Sequence, residues 1–313
     1  MDRQVSAPAD SKTVPTKPTR LRSFFHSQKM APYFFVAPFV ISFLLFMLYP
    51  IISAFYMSFQ EILPGEETFV GLKNYQALNN EHFYAAVSNT VIYTIWTLII
   101  LIPVPLVLAV LIHSRFMLAP VLFRSALFLP ALTSIVVGGA IFRLIFGEMD
   151  TAPMNTILIK LGFSPQQWAM EGGTAMFLMV ALASWRWMGI NLLYFLSGLQ
   201  NIPKELYESA EIDGAGSLSK FFRITLPLLK PVTIYVLTIS IYGGFTMFTE
   251  SYVFWTNHSP GDIGLTLIGY LYQQSFENFN MGVGSAIGIV LLVTILVINI
   301  VQLKLFGQFR REE

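Results

Sequence analysis

The chain has no cysteine, which removes disulfides, thiolate metal sites and cysteine nucleophiles together. Charge is also scarce: 12% of the 313 residues are charged against 55% hydrophobic, with a mean hydropathy of +0.62. That balance excludes an ordinary soluble globular domain and marks an integral membrane protein. The net charge of +1 comes from Lys and Arg scattered among separate segments, so there is no basic patch for nucleic acid. Enzyme templates are missing as well. There is no G-x-x-x-x-G-K-[ST] phosphate loop, no H-E-x-x-H and no C-x-x-C, and His26, His82, His113 and His258 fall in separate loops or span ends. The chain is therefore read as a non-enzyme, with no cofactor and no metal site expected.

What is present is long apolar runs. At 1.5 Å per residue, about 20 residues of helix cross a hydrocarbon layer. Six runs meet that length, at about 31–59, 87–112, 123–146, 174–198, 231–249 and 283–306, within a membrane domain spanning 31–306. The fold class expected is an all-α membrane protein of six transmembrane helices. Residues 1–30 carry six Lys and Arg among Pro, Ser and Thr and read as a mobile tail, and 307–313 as a short polar end. The first run is too long for a signal peptide and lacks a small-x-small cleavage site. Pro103 and Pro105 lie inside the second run and predict a kink whose freed carbonyls must be met by neighbouring helices or water.

Lys and Arg set the orientation. Fifteen of them fall in the tail, at Arg115 and Arg124, in the 200–230 segment and at the end, whereas the three opposite loops hold only Lys73 and Lys160. Both termini and the 200–230 segment are thus expected in the cytoplasm, and the acid-rich loops outside. The spans contain no Asp or Glu, Glu250 being placed at the outer edge of span five. Ion-coupled carriers use intramembrane carboxylates to bind and release the coupling ion, so their absence argues against that class without closing it.

The 200–230 segment is the only one between apolar runs that is both strongly charged and rich in helix signals. Pro203 suits the first turn of a short amphipathic helix capped by Asn201 or Ile202. The stretch Asp213-Gly214-Ala215-Gly216 then breaks it, Ser217 caps a second turn, and Pro227 and Pro231 end that one. As a bare pattern this elbow is also an ordinary loop. Its residues Glu208, Ser209, Ala210, three residues, Gly214, nine residues, Ile224, one residue, Leu226 and Pro227 resemble the EAA loop of binding-protein-dependent importers, the permeases of ATP-binding cassette systems. Ser209 stands where that pattern has Ala and is small enough for the same contact. The resemblance implies a type I importer permease whose cytoplasmic coupling helix docks on an ATPase through Glu208, Ser209, Ala210, Asp213, Gly214, Ala215, Ile224, Leu226 and Pro227. Leu196-Ser197-Gly198-Leu199-Gln200 looks like the LSGGQ signature of the ATPase subunits, but it ends a span with no phosphate loop upstream and is read as chance.

Arg186 is the one charge near the middle of a span, flanked by Trp185 and Trp187, with Asn191 and Tyr194 further along. Either it lines a watery pathway and offers its donors to the hydroxyls of a polar cargo, or it ties helices together. Direct pairing with Glu250 is not expected, since roughly 15 Å of helix rise separates their depths. On span five, Tyr242 and Phe245 beside Gly243-Gly244 read as pathway residues, and Tyr252 and Trp255 as interfacial anchors. The loop from Tyr252 to Met281 is too long for a tight turn. It either folds over the outer mouth or contributes, through Leu265–Leu271, a helix that braces span six.

Two further stretches, SWRWMGINLLYFLSGLQN at 184–201 and SPGDIGLTLIGYLYQQSF at 259–276, resemble the carbohydrate-uptake branch of these permeases, and within it those of arabinose and arabino-oligosaccharide importers. That resemblance implies a heterodimer with a second, homologous six-span permease, a pair of cytoplasmic ATPase subunits, an extracellular sugar-binding protein, a sugar cargo and a bacterial plasma membrane. An ion-coupled secondary sugar carrier and an assembly factor are the alternatives. The sugar itself rests on resemblance alone.

Overall fold

In hydrocarbon the backbone has no water to bond, and a helix satisfies its N–H and C=O groups within one segment. The computed structural model describes residues 31–63, 65–114, 119–255 and 258–307 and divides the chain into two units, 1–53 and 54–313. The expected tail 1–30, Arg115 and the end beyond Gly307 lie outside the described residues. Helix α1 (Ala31–Phe43), a π turn (Leu44–Leu48) and α2 (Tyr49–Met57) form one apolar rod. The π turn closes with Tyr49 N–H on Leu44 O, one residue before Pro50. A proline has no N–H and its ring crowds the carbonyl four residues back, and the widened turn makes room for both effects.

After α2 come a hairpin, β1 (Gln60–Leu63) antiparallel to β2 (Glu66–Phe69), and a short α3 (Lys73–Gln76). Buried Asn74 fastens the hairpin by donating to Ser58 O and Gln60 O at 2.9 Å each. Then come α4 (Glu81–Leu101), α5 (Pro103–His113), α6 (Pro120–Leu132), α7 (Ile135–Ile145), α8 (Pro153–Lys160) and α9 (Gly172–Gln200). The remaining helices are α10 (Lys204–Ile212), α11 (Ser217–Lys220), α12 (Leu226–Leu228), α13 (Lys230–Phe245), α14 (Thr249–Phe254), α15 (Leu267–Tyr272) and α16 (Met281–Leu305). Four described helical rods are long and apolar enough to cross a membrane, and six if each of two bent pairs counts as one span.

The bends depart from the uniform rods expected from hydropathy. The third run breaks at Thr133-Ser134 into α6 and α7, which meet at 100°. Thr133 is extended there (φ −77°, ψ 138°), and its N–H closes on Pro130 O, three residues back, at 3.1 Å, which ends the α6 ladder. Before span five the chain does not stop at Pro227 and Pro231. A π turn (Phe221–Thr225) closes with Leu226 N–H on Phe221 O just ahead of Pro227, repeating the device seen before Pro50, and α13 starts at Lys230 after a 66° bend.

Helix α9 is the hub, with fourteen buried residues, and packs against α4, α5 and α6. Two glycines permit close approaches between long helices. A Cβ on Gly189 would stand 2.1 Å from Leu127 O on α6, and one on Gly244 2.5 Å from Thr94 Oγ1 on α4. The hydroxyls of Thr90, Thr94 and Thr97, buried along α4, donate to carbonyls of their own helix, so the packed face carries no unmet donor there.

In the 147–173 loop Asn155 is fully buried. Its Nδ2 donates to Gly147 O at 3.2 Å and Gln166 O at 3.1 Å, and its Oδ1 accepts from Gln166 N and Trp168 Nε1. The 252–281 loop is equally built. Thr266 caps α15 and donates to Met247 O at 2.9 Å, Leu267 N donates to Thr90 Oγ1 at 3.0 Å, and Leu265, Leu267 and Tyr270 join a core with α4 and α16. The LTLIGYL run is thus a buried brace. Trp255, expected as an interfacial anchor, is also core: it is 8% exposed, and its Nε1 donates to Ala169 O at 2.9 Å. The long loop folds back over it, so closely that a Cβ on Gly264 would collide with its ring. Tyr252 stays 43% exposed.

Candidate functional site

Two sites emerge, the exposed elbow and a cavity among α4, α7, α9, α13 and α14. In the elbow, Pro203 itself is the N-cap of α10, two residues after Asn201 and one after Ile202, the caps expected. The helix ends in a paired reversal: Ala215 N–H bonds Ala210 O at 2.8 Å and Gly214 N–H bonds Glu211 O at 3.0 Å, with Asp213 as C-cap. This is the Schellman arrangement, and it needs a left-handed residue at Gly214, where φ is +77°. Gly216, not Ser217, is the N-cap of α11.

Behind α10, Tyr207 Oη and Thr225 Oγ1 share a 2.9 Å hydrogen bond, and Lys220 Nζ reaches Glu211 Oε1 at 2.7 Å. These bonds tie the two arms of the elbow to each other. Glu208, Ser209, Asp213 and Gly214 face solvent, as do Leu226 and Pro227, whereas Ala210, Ala215 and Ile224 are half-buried. Leu206, Ile212, Leu218 and Phe222 add apolar surface, Ile212 being 87% exposed. The elbow is a held shape with an open, mixed apolar and acidic face.

The cavity measures about 410 Å³. From α9 it takes Ala183, Arg186, Trp187, Ile190, Asn191 and Tyr194, whose spacing of three and four residues is one helix face. Tyr93 and Thr97 enter from α4, Ser240, Tyr242 and Gly243 from α13, and Phe248 and Glu250 from the segment beyond. Trp185 lies off that face, against Gly138 and 5.8 Å from the Phe142 ring, and does not line the cavity. Phe245 likewise points into the core at 6% exposure, while Tyr242, three residues earlier, opens onto the cavity. Arg186 stacks 5.6 Å from the Trp187 ring centre, a cation–π contact. Tyr194 meets the Tyr235 ring edge-on at 5.2 Å.

Asn191 is buried, and its Nδ2 donates at 2.8 Å to Leu101 O. In an unbroken helix that carbonyl would accept from residue 105, which is proline. The side chain offered as a pathway residue is therefore occupied in meeting the carbonyl freed by the kink, although it also borders the cavity.

Glu250 departs most from expectation. It is 9% exposed and lines the same cavity as Arg186, near enough for the guanidinium charge to act on it, though no direct ion pair joins them among the described residues. The ~15 Å estimate assumed that span five runs on as a helix. Instead α13 ends at Phe245, Phe248 adopts φ −138°, ψ −51°, and α14 lies against α7 and α9. Sequence reasoning also missed Tyr93, Thr97 and Ser240. The first two sit four residues apart on one helix face, a spacing that was readable, but nothing in the pattern said which face looked inward.

A family model described as "Binding-protein-dependent transport system inner membrane component" matches residues 68–310. The chain is 66% identical over 291 residues to the arabinooligosaccharides transport system permease protein AraP of Bacillus subtilis (strain 168), covering 93% of each chain. It is 55% identical to the AraP protein of Halalkalibacterium halodurans over 94% of this chain and 93% of that one. The lactose transport system permease protein LacF of Rhizobium radiobacter is 33% identical over 84% of this chain and 90% of its own. In fold, the chain resembles a solved bacterial ABC transporter involved in import of the acidic polysaccharide alginate, with TM-score 0.80 and 22% identity, covering 94% of this chain and all of that one. The chain belongs to the family of inner membrane components of binding-protein-dependent transport systems.

Proposed function

We propose that this chain is the permease subunit of an ATP-driven importer that passes arabino-oligosaccharides through the membrane. The observation that carries the cargo is the 66% identity to the AraP protein over 93% of both chains. The cavity chemistry supports it. Flat apolar faces at Trp187, Tyr194, Tyr242 and Phe248 suit the C–H faces of sugar rings, and Arg186, Glu250, Thr97 and Ser240 supply donors and acceptors for hydroxyls. A volume near 410 Å³ lies in the range of small-ligand pockets, about 300–1,000 Å³.

In this reading the elbow is the coupling element. Its open face, with Glu208, Ser209 and the exposed Leu206 and Ile212, docks in a cleft of a cytoplasmic ATPase, and Gly214 holds the reversal behind it. A second six-span permease completes the channel, a pair of ATPase subunits drives it, and an extracellular binding protein delivers the sugar. Both termini and the elbow face the cytoplasm, in keeping with the excess of Lys and Arg on that side.

Deleting the chain from cells that use it should abolish accumulation of labelled arabino-oligosaccharide, and re-expression should restore it. Unchanged accumulation in the deletion strain would refute the cargo assignment.

A further inference from the structure

Phe248 borders two cavities. One is the large cavity; the other is a small one of about 40 Å³, lined also by Tyr252, Ser259, Tyr272, Gln273 and Glu277. From Phe248 a row of rings runs outward. Phe248 and Tyr272 have centroids 5.4 Å apart at 42°, Tyr272 and Phe276 are 5.5 Å apart at 35°, and Tyr252 flanks Phe248 at 5.3 Å and 32°. These rings are not hidden in the core: Tyr252 is 43% and Phe276 56% exposed, while Phe248 and Tyr272 are half-buried. Tyr272 and Phe276 stand four residues apart, on one side of the turn that carries Gln273 and Glu277. Polar groups therefore edge the row, including the His258 Nε2 to Glu277 Oε2 pair at 3.2 Å.

We propose that Phe276, Tyr272, Tyr252 and Phe248 form a second saccharide subsite, which holds the trailing units of an oligosaccharide whose leading unit occupies the main cavity. The proposal rests on the cavity being the sugar pathway. The rings are tilted against one another by 32–42°, and the exposed parts of Tyr252 and Phe276 offer apolar surface to sugar units, while Gln273 and Glu277 supply an amide and a carboxylate to hydroxyls at their edge. Phe248 stands between the two cavities, so a chain of sugars leaving the main cavity past this ring meets the outer rings next. A lone sugar unit in the main cavity touches Phe248 and none of the outer rings. The subsite consequently distinguishes long cargo from short.

The test uses the complete importer in proteoliposomes, with saturating binding protein, and measures initial uptake of an arabino-disaccharide and an arabino-tetrasaccharide. Phe276→Ala and Tyr252→Ala are exposed truncations, and either should lower the tetrasaccharide-to-disaccharide rate ratio roughly three- to tenfold, the worth of one ring contact. Tyr242→Ala, in the main cavity, should lower both rates together. Should Tyr242→Ala act on both cargoes while the outer variants leave the ratio unchanged, the subsite is wrong and the pathway stands. No effect of Tyr242→Ala on either cargo would overturn the pathway reading and the subsite with it.

Discussion

The Nδ2 of Asn191 on α9 donates at 2.8 Å to the carbonyl of Leu101 on α4, the oxygen that Pro105 leaves without a helical donor. This one bond lets a proline kink sit where lipid offers no water. Asn191→Leu should therefore lower the thermal midpoint of the purified protein, by the equivalent of about 1–3 kcal/mol for a buried unmet carbonyl. Pro105→Ala restores an N–H to the ladder, so the double variant should recover much of the loss. Additive losses in the double variant would contradict this pairing.

Packing at Gly189 gives a second expectation. A Cβ there meets Leu127 O at 2.1 Å, a backbone atom that cannot swing away, whereas a Cβ at Gly173 on the same helix meets nothing within 4 Å. Gly189→Ala should separate α6 from α9 and sharply reduce the yield of folded protein, while Gly173→Ala should leave it near wild type. Size-exclusion profiles in detergent would check both, and a normal profile for Gly189→Ala would show that the helices are not held this closely.

These two cases also indicate what was legible beforehand. The apolar rods were readable because length and hydropathy are local properties, and the freed carbonyls near Pro103 and Pro105 followed from proline chemistry. That Asn191 meets one of them depends on which helix lies beside α4, a long-range fact. The 100° break at Thr133-Ser134 was hidden inside an apolar average, and the side-turned α14 invalidated a depth estimate that assumed a straight helix. Trp255 carried the composition of an anchor and the burial of a core residue because the loop after it folds back. The elbow fared better, since a Gly between two short helices states its own conformation, and φ at Gly214 is +77°.

A third prediction uses that conformation. No atom lies within 4 Å of a Cβ built on Gly214, so a substitution there is penalised through the backbone alone. Gly214→Asn, which tolerates the left-handed region, should keep transport within about twofold, whereas the β-branched Gly214→Val should uncouple ATP hydrolysis from uptake. Equal behaviour of the two variants would remove the conformational argument.

Arg186 and Glu250 provide a fourth. Each lines the cavity, and the elbow is remote in sequence from both. Arg186→Leu and Glu250→Gln should each leave complex assembly intact and lower sugar uptake, by about tenfold or more for the loss of a charged hydrogen-bonding group. Failure of Arg186→Leu to assemble with its partner permease would instead assign the residue to holding helices together, and wild-type uptake in both variants would discard either role.

The central claim, that the cavity carries sugar only when the elbow is driven by an ATPase, is tested most directly by uptake into proteoliposomes containing both permeases and loaded binding protein, with and without the ATPase pair and ATP. The account predicts accumulation only when ATPase and ATP are both present, and its loss in Gly214→Val. Accumulation driven by a sodium or proton gradient in the absence of the ATPase would contradict it.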